Sequence, residues 1–326
     1  MIRQKTVFVI GAGAHKPYDL PLGDELLKSI LHLLKSSQKE SSQFFQHVNL
    51  CYQSTAIRQA FKEIVPALSR SGHTSIDSFI ATNAKRPGFA EIAKHAVAWQ
   101  LLPQEFKHGW ERAHHNGDWM TYLFETMLHG CLKSVDALVE NNPIEFVTFN
   151  YDRTLEDFLT TRIAATYNLS HTDAWNKAQK FKIVHVYGSL GDFDPLVIDP
   201  QVRIDYRNNI VTANIKSAAD SIELMYDSRL DHTGVRDAVD LINAAPYVCF
   251  LGFGFDPDNI ARLNLNNICR GKTRVYATRY KIPRGDWNRT MLRMQPVGMN
   301  EANEHFERFS IDWDCLAFLH ETGALG

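Results

Sequence analysis

The stretch Phe146-Val-Thr-Phe-Asn-Tyr-Asp152 decides the predicted fold, because it carries the chain from a strand into a helix. The residues before Asn150 are apolar and favour β-structure, whereas residues 153–159 continue with helical spacing. In an open parallel sheet, this carboxyl edge of a strand is where ligands bind. A simpler interpretation is that Asp152 only caps the helix and Asn150 only shapes the turn. The other strand ends distinguish these two interpretations.

Three further β-favouring segments also end in glycines and polar residues. They are Thr6–Ile10 with Gly11-Ala-Gly13, residues 181–187 with Gly188-Ser-Leu-Gly191, and Tyr247–Leu251 with Gly252-Phe-Gly-Phe-Asp-Pro-Asp-Asn259. Another strand is predicted over residues 273–278. Helical patterns separate these strands, which predicts an α/β fold with a doubly wound, Rossmann-like parallel sheet. The four polar strand ends then face one crevice, and this convergence favours a nucleotide site over unrelated turns.

Residues 35–142 form a block of amphipathic helical patterns joined by polar segments, without an internal repeat. We predict this block to be a large helical insertion within a single domain that covers residues 1–326. Near its end, apolar residues recur at three- to four-residue spacing, which is typical of a core stripe. They are Leu123, Met127, Cys131, Val135 and Leu138.

The composition is that of a soluble protein with a sizeable core: 326 residues, 44% hydrophobic and 22% charged. Lys and Arg number 35 against 37 Asp and Glu, so the net charge is −2. This balance provides no overall basic field for nucleic acid or an anionic membrane. No apolar run approaches membrane-spanning length. We therefore expect a cytoplasmic protein that does not bind membranes and has no indicated direct contact with nucleic acid.

The five cysteines are scattered without a Cys-x-x-Cys pair, which argues against a disulfide framework and a four-cysteine zinc module. They are Cys51, Cys131, Cys249, Cys269 and Cys315. Histidine pairs such as His114-His115 lack a carboxylate partner at ligand spacing on a helix face. The sequence expectation is therefore that the protein holds no metal.

Taken in order, the motifs resemble those of the sirtuin-like domains found in bacterial antiphage defence systems. The matching motifs are Gly11-Ala-Gly-Ala with Pro21-Leu-Gly23, Thr148-Phe-Asn-Tyr-Asp152, His185-Val-Tyr-Gly-Ser-Leu190 and Leu251-Gly-Phe-Gly-Phe-Asp-Pro-Asp-Asn259, and Ser75-Ile-Asp-Ser-Phe79 fits that family's helical insertion. The resemblance covers nearly the whole chain. It implies an NAD glycohydrolase that cleaves the nicotinamide–ribose bond of its substrate NAD, giving nicotinamide and ADP-ribose, as an abortive-infection effector. It also implies a homo-oligomer, with regulation by self-assembly or by a separate partner chain such as an ATPase or sensor protein.

The resemblance and the chemistry of the reaction together suggest roles for the strand-end residues. Asn150 is expected to position the ribose hydroxyls and the attacking water, and His185, neutral near pH 7, to accept the proton of that water. The backbone N–H groups of the glycines are expected to face the diphosphate. Asp152 either bonds a ribose hydroxyl or caps its helix. The expected NAD-binding residues are Gly11, Ala12, Gly13, Asp152, Tyr187, Gly188, Gly252, Gly254, Asp256 and Asn259.

Several departures from known patterns leave alternatives open. Lys16 occupies the third glycine position of the dinucleotide fingerprint, which argues against an ordinary dehydrogenase. The family's histidine directly precedes the loop glycine, but Tyr187 stands there, so either His185 or Tyr187 takes that role. Without a base, the domain would be a catalytically silent NAD- or ADP-ribose-binding module for sensing or assembly. A lysine deacylase is disfavoured, because the four-cysteine module and a Gly-Ile-Pro-x-Phe-Arg segment are missing. The motifs also leave open whether the reaction on NAD gives the hydrolysis product or a cyclised product.

Overall fold

The computed structural model describes residues 1–105, 109–113, 117–193, 212–224, 233–270, 273–294 and 312–325. Within these residues one parallel sheet of five strands has the order β3-β2-β1-β4-β5. The strands are β1 (Thr6–Ile10), β2 (Ile144–Thr148), β3 (Ile183–His185), β4 (Tyr247–Leu251) and β5 (Arg274–Ala277). This sheet confirms the predicted α/β, Rossmann-like fold.

The register of the sheet brings the ends of its central strands to one level. Ile10 at the end of β1 pairs with Thr148 of β2 and with Leu251 of β4. All five residues of β1 are buried, as expected for a central parallel strand covered on both faces. The residues that follow β1, β2 and β4 therefore meet at the same edge of the sheet.

Helices flank the sheet and fill the interval between β1 and β2. The α-helices are α1 (Gly23–Ser36), α2 (Gln43–Tyr52), α3 (Thr55–Arg70), α4 (Ile76–Thr82), α5 (Phe89–Glu105), α6 (Gly109–Ala113), α7 (Trp119–Leu128), α8 (Val135–Glu140), α9 (Thr154–Tyr167), α10 (His171–Ala178), α11 (Thr212–Ser221), α12 (Thr233–Ala244), α13 (Pro257–Arg262), α14 (Arg284–Met294) and α15 (Cys315–Thr322). In the described part of the chain, 3₁₀ helices over Ala12–Tyr18 and Leu265–Arg270 follow β1 and α13. Among the described residues, no helix combines the length and apolar character needed to cross a membrane.

Helices α2 to α8 occupy the predicted block of residues 35–142 and contact the sheet edge. The indole nitrogen of Trp119 donates to the Ala14 carbonyl at 2.7 Å. At the end of α5, Glu105 accepts a 2.6 Å hydrogen bond from Arg153, at the start of α9. These contacts join the helical block to the residues after β1 and β2. The domain boundaries of the insertion stay a prediction.

The strand predicted over residues 181–187 ends earlier, at His185. Gly188 has φ 68°, and the Tyr187 carbonyl accepts a hydrogen bond from the Glu223 amide at 2.9 Å. The chain therefore leaves the strand before Tyr187, and the alternation of side chains along β3 does not extend to that residue.

Helices α11 and α15 have bounds that are set by residues at their ends. Helix α11 ends at Ser221, and the next residue, Ile222, forms a bridge with Gly188. Helix α15 begins at Cys315, since the Asp314 side chain caps it by accepting from the Ala317 amide at 2.9 Å.

Candidate functional site

The glycines after β1 and β4 let two backbone loops pack directly on each other. A Cβ atom on Gly252 would lie 1.9 Å from the Ala14 nitrogen, and one on Gly11 would lie 2.6 Å from the Gly252 oxygen. The amides of Gly11 and Gly13 donate at 3.0 Å to the carbonyls of Leu251 and Gly252. Glycine is therefore required here by the close approach of the two loops.

This packing occupies the backbone amides that were expected to bind a diphosphate. The Gly252 amide is also bonded within the protein, since it donates to the Thr278 hydroxyl at 2.8 Å. The sequence predicted that the amides of Gly11, Gly13 and Gly252 would face a diphosphate, but in the structure all three already have protein acceptors. The difference arises because the two glycine loops pack on each other.

A pocket opens beside these loops, at the carboxyl ends of β1 and β2. Its cavity volume is about 100 Å³. Its lining includes three residues of the predicted site: Ala12, Asn150 and Asp152. The other lining residues are His15, Leu20, Pro21, Gly23, Leu26, Asp77, Leu101, Phe149 and Tyr151.

Asn150 is fixed at the junction of the first two strands. Its side-chain NH₂ group donates to the Gly11 carbonyl at 3.4 Å, and its backbone N–H donates to the Thr148 hydroxyl at 3.1 Å. The residue is only 8% exposed. Gly11, directly after β1, therefore holds the carboxamide of Asn150, and Thr148 at the end of β2 holds its backbone.

Asp152 forms a buried pair with His15. The Nδ1 atom of His15 lies 2.9 Å from Oδ1 and 3.1 Å from Oδ2 of the carboxylate. Burial by itself raises the pKa of Asp152, but His15 and the hydrogen bond from the Thr154 amide outweigh it, and the pKa is lowered. With the carboxylate ionised, Nδ1 carries the proton that the pair shares, and Nε2 of a neutral ring carries the lone pair.

The His15 ring is held by aromatic residues on both sides. The Trp119 ring stacks at 6.5 Å between centroids and the Tyr18 ring meets it edge-on at 5.7 Å. Asp118 at the start of α7 accepts the Tyr18 hydroxyl at 2.7 Å. The Nε2 atom of His15 is buried and has no hydrogen-bond partner among the described residues. A buried, oriented imidazole with one unused nitrogen is the arrangement found in bases of catalytic triads.

His185 occupies a different environment from the one expected for a free base. Its Nδ1 donates to the Asn150 carbonyl at 2.8 Å, and its Nε2 lies 2.7 Å from a carboxylate oxygen of Glu156. Burial lowers the pKa of His185, but the Glu156 carboxylate and these hydrogen bonds outweigh it, and the pKa is raised. Both partners are acceptors, so the ring satisfies them as a cation. His185 therefore supports the Asn150 backbone here, and its predicted role as base stays a prediction.

Tyr187 is brought together with Asn259, another residue of the predicted site. The tyrosine hydroxyl donates to Oδ1 of Asn259 at 2.6 Å, and its ring packs edge-on against Phe149 at 5.7 Å. Phe149 in turn lines the pocket. Tyr187 thus contacts a residue that lines the pocket without lining it itself, and its hydroxyl is bonded to Asn259.

The remaining predicted residues have local structural roles. Asp256 caps α13 by accepting from the amides of Asp258 and Asn259 at 2.9 and 3.4 Å. Gly188 needs its positive φ, and a Cβ there would lie 2.2 Å from the Ser221 carbonyl oxygen. Gly254 is exposed, and a Cβ atom added there would meet no atom within 4 Å. The structure does not bring these three to the pocket lining, and NAD binding by them stays a prediction.

Part of the chain matches a known protein family. Residues 144–282 match the family model of the SIR2-like domain. The match begins with β2 and includes Asn150, Asp152 and His185, and it supports a sirtuin-like domain with an NAD-dependent function in general. No curated protein and no solved structure matches the chain.

Residues outside the SIR2-like match complete the pocket. Tyr151 donates its hydroxyl to Asp77 of α4 at 2.6 Å, and Asp77 lines the pocket beside His15. Burial raises the pKa of Asp77, against the opposing effect of the Tyr151 hydrogen bond. Ser75 caps α4 by accepting from the Ser78 amide at 3.1 Å. The helical block therefore contributes a carboxyl group to the pocket that Asn150 and Asp152 line.

His15, Asp77 and Glu156 were not predicted as site residues. His15 directly follows the first glycine loop, so a polar residue in that position was the available signal. Asp77 lies in the Ser75–Phe79 motif, which was assigned only to the helical insertion. Glu156 lies within the helix that follows Asn150, and nothing in its local spacing shows that it reaches His185.

Proposed function

We propose that the protein hydrolyses NAD at the bond between nicotinamide and ribose, in the pocket at the ends of β1 and β2. The observation that carries the proposal is that Asn150 and the His15–Asp152 pair line the same pocket. The SIR2-like match over residues 144–282 supports NAD as the substrate.

The reaction requires stabilisation of a cationic sugar and activation of water. Nicotinamide leaves as a neutral ring, so the step needs no strong acid, and positive charge develops on the ribose. The Asn150 carboxamide offers a polar group next to the sugar without adding a charge. The ionised Asp152 adds a nearby negative charge, which favours the developing cation. Water then forms the new bond to the ribose carbon, and its proton must be taken up.

We assign proton uptake to His15 rather than to His185. Asp152 holds Nδ1 of His15, so Nε2 is the nitrogen with an available lone pair, and it has no partner in the described chain. In contrast, both ring nitrogens of His185 donate to oxygen atoms. The balanced reaction is NAD plus water giving nicotinamide, ADP-ribose and a proton, which His15 receives and releases to solvent.

Nicotinamide release from NAD by the purified full chain tests the proposal. Asn150→Ala is expected to abolish release with the fold intact, and His15→Ala to reduce turnover by on the order of a hundredfold, the usual worth of a general base. His32→Ala, which changes an exposed histidine on α1, serves as the matched control and should match wild type. Full turnover in Asn150→Ala would contradict the proposal.

A parallel test separates the two histidines. If His185→Ala loses turnover while His15→Ala keeps it, the base is His185, as the sequence analysis expected. His185→Ala is also expected to move the Asn150 backbone, so its turnover must be compared with its NAD affinity. A change in turnover without a change in affinity would assign His185 to the chemical step.

We further propose, from the motif resemblance, that this activity serves antiphage defence by abortive infection. NAD depletion on infection would then depend on Asn150, and regulation would come from a homo-oligomer or a partner chain such as an ATPase or sensor protein. Cells that express wild type or Asn150→Ala are infected with phage, and NAD is measured over time. An equal NAD level in both strains would contradict the defensive role.

The second candidate function is NAD or ADP-ribose binding without turnover. It is favoured by Tyr187, which stands at the family histidine's position with its hydroxyl bonded to Asn259. Calorimetric titration of wild type with NAD distinguishes the two functions. Binding with NAD recovered intact would identify a binding module, and loss of NAD would identify the hydrolase.

A further inference from the structure

Two histidines and a cysteine meet inside the helical block, away from the pocket. His47 and Cys51 lie one turn apart on α2, and His95 lies on α5. One nitrogen or sulfur atom from each residue lies within 4.8 Å of the others. His47 and His95 are buried, and Cys51 is partly buried.

The two imidazoles have buried nitrogen atoms that the protein does not use. Nδ1 of His95 donates to the Glu91 carbonyl at 2.9 Å, so Nε2 carries the lone pair, and it has no hydrogen-bond partner. Nδ1 of His47 is likewise without a partner, while its Nε2 lies 3.9 Å from the Cys51 sulfur. Buried polar atoms are nearly always hydrogen-bonded, so two such orphans in adjacent rings need an explanation.

The surroundings favour neutral imidazoles. The His47 and His95 rings lie 5.2 Å apart, with Trp99 beside His47 and Tyr52 beside His95. Burial among such rings favours the neutral form of an imidazole, which is the form that binds a metal ion.

We propose that His47, Cys51 and His95 bind a transition metal ion of the Zn²⁺ class in the helical block. Two imidazoles and a thiolate are a ligand set that Zn²⁺ and Co²⁺ accept, with a fourth position left for water. In a tetrahedral site with bonds of about 2.0–2.3 Å, ligand atoms lie roughly 3.3–3.8 Å apart. The ligand atoms of the cluster lie within 4.8 Å of one another, so binding of the ion requires them to approach by at most about 1–1.5 Å.

The geometry around the cluster resembles that of a supported metal site. The Glu91 carbonyl fixes the orientation and tautomer of His95, as the outer partners of metal-bound histidines do. The ion would join α2 to α5, and α11 packs against α5 beside it. The site is independent of the proposed NAD chemistry, and its role is to hold the helical block together.

The expectation of no metal rested on the lack of paired cysteines and of histidine pairs with a carboxylate. The spacing of His47 and Cys51 is visible locally, since residues four apart share a helix face. His95 joins them only through the packing of α5 on its neighbours. The expectation of no metal stays a prediction, and the proposed site names the three residues on which it can be tested.

Cobalt binding to the full chain tests the proposal. After treatment with a chelator, the protein is titrated with Co²⁺, and we expect one ion per chain, a thiolate-to-cobalt absorption band and displacement by Zn²⁺. Cys51→Ser should remove the absorption band. His95→Ala should weaken binding by at least about a hundredfold, because changes to outer partners alone cost 10–100-fold. His32→Ala, on the exposed side of α1, should bind as wild type does.

A second measurement guards against misfolded variants. Zn²⁺ should protect Cys51 of wild type from alkylation, as mapped by peptide mass spectrometry, and should raise the melting temperature of wild type but not of Cys51→Ser. No stoichiometric Co²⁺ binding by wild type would overturn the proposal. Equal Co²⁺ binding by wild type, Cys51→Ser and His95→Ala would also overturn it, since the ion would then lie elsewhere.

Discussion

Replacing Gly252 with alanine should destabilise the protein strongly, because two separate constraints act on this residue. Its φ of 59° lies in the left-handed region, which costs a residue with a side chain about 1–2 kcal/mol. The new Cβ would also lie 1.9 Å from the Ala14 nitrogen and 2.4 Å from the Gly13 carbonyl carbon. Relieving such overlap typically costs about 1–3 kcal/mol.

Together these contributions give a loss of about 2–5 kcal/mol in the free energy of unfolding for Gly252→Ala. Moving the loops apart would also lengthen the 3.0 Å hydrogen bond from the Gly13 amide to the Gly252 carbonyl. The first loop carries Ala12 and His15 into the pocket, so NAD affinity should fall as well.

Urea unfolding followed by circular dichroism measures the loss, and Gly254→Ala is its matched control. Gly254 lies two residues further along the same loop, and a Cβ there would meet nothing within 4 Å. This variant should stay within about 0.5 kcal/mol of wild type, as surface changes usually do. If Gly252→Ala also stays in that range, or if both variants lose the same amount, the close packing of the two loops is refuted.

The remaining predictions concern buried charges and the tyrosine at the family histidine's position. Glu105→Ala leaves the Arg153 charge buried without its 2.6 Å partner and should cost about 3–5 kcal/mol in urea unfolding, whereas a loss below about 1 kcal/mol would contradict the pairing. The Glu156 carboxylate raises the pKa of His185. The charged pair therefore stabilises the fold fully at pH values below the ordinary histidine pKa. This stabilisation is lost as the pH rises through the raised pKa of His185. The difference in unfolding free energy between wild type and Glu156→Gln should therefore shrink from pH 6 to pH 9, and a pH-independent difference would refute the charged pair. Tyr187→Phe should keep NAD turnover near wild type, and a large loss would show that the tyrosine acts in the reaction.

The strands could be predicted closely because each is a short apolar run with its own turn signals. The bounds of β1 and β4 match the predicted segments residue for residue. β3 was predicted too long, because its end is set by the pairing of Gly188 with Ile222. That contact joins distant parts of the chain, and no local pattern shows it.

The sequence placed two of the pocket residues at strand ends, but it did not show which distant residues pair with the site residues. Asn150 and Asp152 lie at the pocket as strand-end residues should. The pairing of Asp152 with His15 joins residues 137 positions apart, and that of Glu156 with His185 joins residues 29 apart. Such pairings depend on how the helices and loops pack on the sheet, which hydrophobic periodicity does not encode.

Incubation of the purified full chain with NAD, with nicotinamide and ADP-ribose separated by chromatography, tests the central claim most directly. Wild type, Asn150→Ala and His15→Ala are compared at equal concentration and in each assembly state the protein adopts. Wild type is expected to give equal amounts of nicotinamide and ADP-ribose, Asn150→Ala none, and His15→Ala a roughly hundredfold slower release. Intact NAD after incubation with wild type in every assembly state would contradict it.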